Sequence, residues 1–186
     1  MQTTIVIFKQ LVMKGMKLQT VMFVFAILGM TAFATAQRAS PAATATGVIN
    51  GANITIKYSS PGVKGRQIYG TELVPYDKVW RAGANEATTF ETDKDIKVEG
   101  KALPAGKYSI YVIASAKEGI IIFNSATGQW GINRDGTTTE DPEKDVIRVT
   151  VTPKKTTTLT ERLVYTINKD GFVLSWEYLD VPVSIK

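Results

Sequence analysis

The 186-residue sequence contains neither cysteine nor histidine, and these two absences exclude several classes of functional site. No Ser-His-Asp or Cys-His nucleophile can be assembled, and no zinc, copper or haem site with His or Cys ligands can form. Disulfides cannot stabilise the fold, so its hydrophobic core has to suffice. We therefore predict no cofactor. Any catalysis would depend on carboxylates, lysine, tyrosine, arginine or a hard ion bound by oxygen atoms.

Acidic residues are absent from the first 36 positions, which have the layout of a secretory signal peptide. Three lysines precede an apolar run at residues 21–34, and Ala34 and Ala36 form a small-x-small cleavage site. The run is short for a transmembrane helix, which needs about 20 residues, so a signal peptide is favoured over the alternative of an uncleaved membrane anchor. We expect cleavage after Ala36, export to the periplasm or the extracellular space, and no transmembrane anchor in the mature protein. Three starts of translation stay open: Met1, Met13 and Met16.

Basic clusters are absent too. Once the three lysines of the signal segment are removed, the formal net charge falls from +5 to +2 (5 − 3 = 2), and no Lys/Arg cluster of the kind that binds nucleic acid remains. We therefore expect no nucleic-acid partner. The residues after the signal segment are enough for one domain with a substantial core, and the sequence leaves its oligomeric state open.

No segment shows helical periodicity over ten or more residues, whereas short strand patterns recur about every ten residues. Residues 106–115 alternate apolar side chains toward two faces. Residues 119–125 are continuously apolar, as expected of a central strand that is covered on both faces. These patterns predict an all-β fold, a single-domain antiparallel β-sandwich of the jelly-roll or Ig-like type.

The sandwich is expected at residues 48–186, after the signal peptide (1–36) and a flexible leader (37–47) of small and polar residues. Residues 103–108 have the pattern of a tyrosine corner, in which a core tyrosine bonds through its hydroxyl to an upstream backbone group. Residues 152–158 indicate a polar turn. The predicted core comprises Ile54, Ile56, Tyr108, Ile110, Val112, Ile121, Phe123, Val149, Val151, Val164, Leu174 and Trp176.

Two irregular segments, "SPGVKGR" (60–66) and "WRAGANE" (80–86), interrupt the strand patterns. Each places arginine beside glycine or alanine, where the backbone can turn sharply or approach another group closely. One interpretation is a shared ligand site, with aromatic walls and polar groups that suit sugars or carboxylated ligands. Its candidate residues are Arg66, Tyr69, Trp80, Arg81, Asn85, Glu86 and Trp130.

The other interpretation of these residues is structural. Arg81 and Glu86 would then form an ion pair that locks the loop, Trp80 would fill the core, and Asn85 would cap backbone groups of the turn. The length of the irregular connection favours a function, because long loops are uncommon in compact domains. The sequence leaves both interpretations open.

Acidic residues are concentrated in residues 133–145, and their side-chain oxygens are of the kind that a calcium site uses. Their spacing does not match an EF-hand loop, and Gly136 and Pro142 are typical of an exposed loop. We therefore favour a solvated loop and predict no metal site.

Four stretches carry a family resemblance, and two of them contain the irregular segments. They are "YSSPGVKGRQIYG" (58–70), "LVPYDKVWRAGANEATTF" (73–90), "VEGKALPAGKYSIYVI" (98–113) and "NSATGQWG" (124–131). Together they resemble the secreted bacterial family catalogued as domain of unknown function 2911, in order and over essentially the whole mature chain. Ser60 is a departure, since the family often has arginine there. The resemblance implies secretion but no established activity, and it supplies no catalytic residues.

From the residues themselves we expect a non-catalytic module that binds a glycan or another cell-envelope component through the 80–86 loop. The alternative is a carboxylate-dependent hydrolase that acts on a glycan. Glycoside hydrolysis needs two carboxyl groups about 5–9 Å apart. Glu86 is the only acid inside an unusual motif, and neither Glu72 nor Asp77 is an obvious partner. No catalytic residue is therefore predicted, and binding is the favoured function.

Overall fold

Regular structure in the computed structural model is almost entirely β-strand, and no α-helix occurs in residues 39–186, the part of the chain that the structure describes. The predicted signal peptide lies outside these residues. Residues 39–186 accordingly contain no helix long and apolar enough to cross a membrane. The strands are β1 (Ala42–Ile49), β2 (Ala52–Ser59), β3 (Val79–Trp80), β4 (Thr89–Thr92), β5 (Ile96–Val98), β6 (Lys101–Leu103), β7 (Gly106–Ala114), β8 (Gly119–Asn124), β9 (Asp145–Val151), β10 (Lys154–Asn168) and β11 (Gly171–Ser184); one 3-10 turn covers Pro142–Lys144.

Seven of the strands form one antiparallel sheet in the order β1-β2-β4-β7-β8-β9, with β3 also paired to β7. Two-stranded ribbons, β10–β11 and β5–β6, supply the second layer. The ribbons are linked because Lys97 and Lys186 exchange backbone hydrogen bonds of 2.7 and 2.9 Å. One continuous core of apolar side chains draws on both layers. The predicted antiparallel β-sandwich is confirmed.

Local predictions for the central strands also hold. The hydroxyl of Tyr108 donates to the carbonyl of Pro104 at 2.8 Å, which is the expected tyrosine corner. In β8, Ile121 and Phe123 belong to the core between the layers, whereas Ile122 packs in a smaller apolar cluster. Both faces of this strand are therefore covered, as its continuous apolar run indicates.

The structure places strand β1 inside the segment predicted as a flexible leader. Residues 42–47 pair with β2, and small side chains form their half-buried face. A Cβ atom on Gly47 would lie 2.6 Å from Cγ2 of Ile167, so β10 leaves no room for larger residues there. Small residues that look like a linker are here the packing surface of an edge strand.

Two expectations for β10 were wrong. Residues 154–158, predicted as part of a polar turn, are the first residues of this long strand. Val164 is only partly buried, and its neighbours Leu163 and Tyr165 enter the core instead. The register against β11 shifts before Val164, and three consecutive apolar residues leave the inward face undetermined by alternation. The other eleven predicted core residues are buried.

Candidate functional site

The 81–88 loop interrupts what would otherwise be one strand along β7. β3 pairs with Val112 and Ile113 of β7, and β4 pairs with residues 106–109 of the same strand. Only two β7 residues lie between these paired segments, but the loop that connects β3 to β4 has eight residues. Two non-glycine residues of the loop, Ala82 and Asn85, have positive φ angles of 56° and 58°. Residues in this conformation often occur at functional sites, where the surrounding structure has to hold them.

Buried hydrogen bonds hold the loop in this conformation. The carbonyl of Ala82 accepts from Thr88 Oγ1 at 3.0 Å and from the Tyr165 hydroxyl at 2.9 Å. The backbone N–H of Ala84 donates to the Ser59 carbonyl at 3.2 Å. Burial raises the pKa of Tyr165, so its hydroxyl stays a neutral donor. The loop is therefore anchored to β2 and to the second layer of the sandwich.

The Arg81 side chain extends from this loop and packs against the backbone of Gly131. A Cβ atom on Gly131 would lie 2.5 Å from Arg81 Cδ, so the absence of a side chain there admits the arginine stem. Nε donates to the Gly83 carbonyl at a long 3.3 Å, and Nη1 is buried without a hydrogen-bond partner among residues 39–186. Burial lowers the pKa of Arg81. The ion pairs within residues 39–186 do not include this arginine.

Arg66 lies in the other irregular segment, residues 60–66, and its side chain is held by different contacts from those of Arg81. Its Nε and Nη2 donate to the carbonyls of Val63 and Gly62 at 3.0 and 2.8 Å, so the side chain folds over its own turn. Lys64 and Gly65 form this turn with φ angles of 51° and 69°. The guanidinium is thus held in place although the side chain is exposed.

The two irregular segments meet at a cavity of about 250 Å³, here called the arginine cavity. Its walls include Trp80 and Trp176, whose rings stack with centroids 5.9 Å apart. Asn85 supports the cavity indirectly, because its Nδ2 donates to the carbonyl of the lining residue Ser40 at 3.1 Å. The lining residues are Ala39, Ser40, Pro61, Gly62, Lys64, Arg66, Leu73, Trp80, Arg81, Gly83, Ala84 and Trp176.

Glu86 and Trp130 lie outside this cavity. Their backbones form an antiparallel bridge, and both side chains are exposed. Neighbouring residues continue the pairing, since Gly131 donates its N–H to the Asn85 carbonyl at 3.1 Å. The structure thus brings together Arg66, Trp80 and Arg81 but not the whole predicted set.

Tyr69 faces a second and larger cavity, of about 460 Å³, that shares Trp80 with the first. We call it the aromatic cleft. Its apolar and polar lining residues are Gln67, Tyr69, Tyr76, Trp80, Val112, Ala114, Ser115, Ala116, Lys117, Gly119, Pro153, Lys155, Thr156, Leu174, Glu177, Tyr178, Leu179 and Val181. Of the seven candidate residues, six therefore divide between two cavities and an exposed surface, and the seventh, Asn85, lines neither cavity.

The Tyr69 hydroxyl is buried and has no hydrogen-bond partner in the described part of the chain. Burial raises its pKa, and the nearby carboxylates of Glu177 and Asp180 raise it further. The hydroxyl is therefore neutral.

Sequence reasoning missed Tyr76 and Tyr178 at the edge of the cleft. Tyr178 is two residues after Trp176, and strict alternation would bury both. Glu177 has a φ angle of 58°, however, and this local irregularity leaves Tyr178 49% exposed while Trp176 is 2% exposed. Tyr76 is positioned by Gly70, where a Cβ atom would come within 2.8 Å of the tyrosine ring.

Comparison with protein families finds a match over residues 40–185 to the family described as "Protein of unknown function (DUF2911)". The chain belongs to this family. No curated protein and no solved structure matches the chain. The DUF2911 match covers both irregular segments and nearly all residues that line the two cavities.

The acidic loop of this DUF2911 protein uses its carboxylates within the fold. Arg148 pairs with Glu140 and Asp145 at 2.9 and 2.6 Å. Burial, and then the nearby Asp145, raise the pKa of Glu140, while Arg148 opposes the shift. Asp135 accepts from the backbone and the hydroxyl of Thr137. Within residues 39–186, no group of three or more acidic residues is arranged to hold a metal ion.

Proposed function

We propose that this protein is an exported, non-catalytic binding module that takes a glycan of the cell envelope in the aromatic cleft. The observation that carries the proposal is the pair of tyrosine rings at the cleft, Tyr76 and Tyr178, which are 42% and 49% exposed. Open aromatic faces beside hydrogen-bonding groups are the chemistry that sugar rings require, because a sugar has both apolar C–H faces and hydroxyl edges.

The size and lining of the cleft support this proposal. Its volume of about 460 Å³ lies within the range of small-molecule sites, about 300–1,000 Å³. Buried side chains such as Val112, Leu174 and Val181 supply an apolar floor. Gln67 and Glu177 add polar groups that can bond to sugar hydroxyls. The combination suits an amphipathic ligand better than a purely apolar one.

The predicted 80–86 segment contributes through Trp80, which is the last residue of β3 and a wall of the cleft. The ring is 7% exposed and stacks on Trp176 at an interplanar angle of 15°. Because this pair also belongs to the core, the cleft has a rigid base. A rigid base lowers the entropic cost of ordering the site when a ligand binds.

The carboxylates of the cleft favour binding over hydrolysis. Glu177 is the one acidic residue among the described residues that line it; Asp180 also acts on the pKa of Tyr69 but lies outside this lining. Glycosidases of the two-carboxylate type need a second acid about 5–9 Å away on the other side of the scissile bond. Glu86, the acid of the unusual motif, is exposed and lies beside Trp130 instead.

The experiment is a glycan array probed with the purified protein, with release of reducing ends from the same glycans measured in parallel. We expect retention of one class of glycan without hydrolysis, and loss of that retention in Tyr76→Ala. Hydrolysis of a retained glycan would instead favour the hydrolase. Absence of any retention on an array of envelope glycans would contradict the proposal.

Export to the periplasm or the extracellular space belongs to the same proposal. It is supported by the order of basic, apolar and small residues in positions 1–36. N-terminal sequencing of protein recovered outside the cytoplasm should begin at or near Gln37. A mature chain that retained residues 21–34 would contradict it.

A further inference from the structure

The charged side chains that line the arginine cavity are all positive. Lys64, Arg66 and Arg81 contribute three cations, and no acidic residue is among the residues of 39–186 that line it. The Glu161 carboxylate accepts from the backbone N–H of Lys64 at 2.9 Å. A cavity of this composition attracts anions.

Two buried donors in this lining lack partners. Nη1 of Arg81 and Nε1 of Trp176 are buried, and neither has a hydrogen bond within residues 39–186. Most buried polar groups in folded proteins are satisfied, because leaving a donor unpaired in the interior costs free energy. Two such donors on residues that line the same cavity point to a missing acceptor.

The contrast between the two arginines supports this interpretation. Arg66 is exposed, yet two backbone carbonyls bind its guanidinium at 3.0 and 2.8 Å. Arg81 is more buried, and its side chain makes one hydrogen bond, a long one of 3.3 Å, to the described residues. An arginine that only filled space would be expected to satisfy its donors as Arg66 does. Arg81 keeps donor capacity where water has little access.

We infer that the arginine cavity is an oxyanion site that binds a carboxylate or phosphate group of a ligand. Guanidinium groups suit such groups because their N–H donors match the spacing of two oxygens. Arg66, held by its own turn, and Arg81, held against Gly131, would present donors from two sides. Lys64 would add a third positive charge at the opening.

This site goes beyond the proposed glycan binding and does not rest on it. The stacked pair of Trp80 and Trp176 forms a wall of the arginine cavity, and Trp80 alone of the two also lines the aromatic cleft. The volume of about 250 Å³ suits an acid group with a small part of the molecule that carries it. Variants of the two cavities can therefore be tested separately.

The test is an NMR titration of the purified, 15N-labelled protein with sodium phosphate and, separately, sodium acetate, at constant ionic strength maintained with chloride. The chain has three tryptophans and hence three indole N–H signals. We expect saturable displacement of the Trp176 signal by at least one of the two anions, whereas the signal of exposed Trp130 stays in place. Phosphate-only or acetate-only displacement identifies the preferred oxyanion.

Arg66→Gln and Arg81→Gln should each weaken this binding about tenfold or more, because each removes a charged donor. Arg134→Gln removes an exposed arginine outside the cavity lining and is the matched control. Arg66→Gln keeps the test valid if Arg81→Gln does not fold. Tyr76→Ala should lose glycan retention and keep anion binding, so the two proposals can fail independently.

Two results would overturn the inference. One is an unmoved Trp176 signal with both anions up to roughly 10 mM, a concentration that fills even a site with a Kd of about 1 mM. The other is an equal loss of affinity in Arg134→Gln and Arg66→Gln, which would show a diffuse charge effect rather than a site.

Discussion

Removing the two hydroxyls that bind the Ala82 carbonyl should reveal how the 81–88 loop is held. Ala82 is fully buried, and its carbonyl accepts from Thr88 at 3.0 Å and from Tyr165 at 2.9 Å. In Tyr165→Phe or Thr88→Val, one hydroxyl still satisfies the carbonyl. Each single change should therefore lower the free energy of unfolding by about 1 kcal/mol, the usual net value of one hydrogen bond.

The double variant should lose more than the sum of the single losses. With both hydroxyls removed, a buried carbonyl has no partner, and this costs about 1–3 kcal/mol in addition. The total loss is then about 3–5 kcal/mol, and the coupling between the two changes is large. Urea denaturation of the four proteins, followed by tryptophan fluorescence, measures these differences.

Tyr108→Phe provides the control for this cycle. Its hydroxyl also donates to a backbone carbonyl, that of Pro104, at 2.8 Å, but at a different corner of the sandwich. Combined with Thr88→Val it should give additive losses. Additive losses in Thr88→Val with Tyr165→Phe would refute the reasoning, because the Ala82 carbonyl would then not depend on these two donors.

Two further predictions concern close packing and pH. Gly131→Ala should lower the free energy of unfolding by about 1–3 kcal/mol and weaken anion binding, because the new methyl group displaces the Arg81 stem; an unchanged melting temperature in thermal denaturation would contradict this contact. Hydrogen bonds from the Asn53 side chain and backbone lower the pKa of Asp93, so its stabilising effect is complete above the unfolded pKa of about 3.9 and disappears as the pH falls through the lower folded pKa. Asp93→Asn should therefore melt below the unchanged protein at pH 7 and equally with it in strong acid; a difference that persists in acid would show another cause.

Alternation and turn patterns were sufficient to predict most of the fold. They identified the central strand β8 and the tyrosine corner, because the determinants of both lie in short stretches of chain. They failed where contacts between residues far apart in the sequence determine the local structure. Gly47 lies in a strand because it pairs with Ile54 of β2 while Ile167 of β10 packs over it. Val164 faces away from the core because the β10 register shifts.

The candidate site was predictable in part for the same reason. The sequence indicated that Arg66 and Arg81 belong to one site, because arginine beside glycine is unusual within short turns. Both arginines do line the arginine cavity. Tyr178 could not be found, because its exposure depends on the positive φ angle of Glu177. The hydrogen bond of Asn85 could not be predicted either, because its partner Ser40 is 45 positions away and no local pattern indicates it.

The central claim, that the aromatic cleft binds a glycan, is tested most directly by comparing Tyr178→Ala with Trp130→Ala. The two side chains are equally exposed, at 49%, but only Tyr178 lines the cleft. Isothermal titration of each variant with the glycan retained on the array should show binding lost in Tyr178→Ala and unchanged in Trp130→Ala. Unchanged affinity in Tyr178→Ala, or loss of binding in Trp130→Ala alone, would contradict the account.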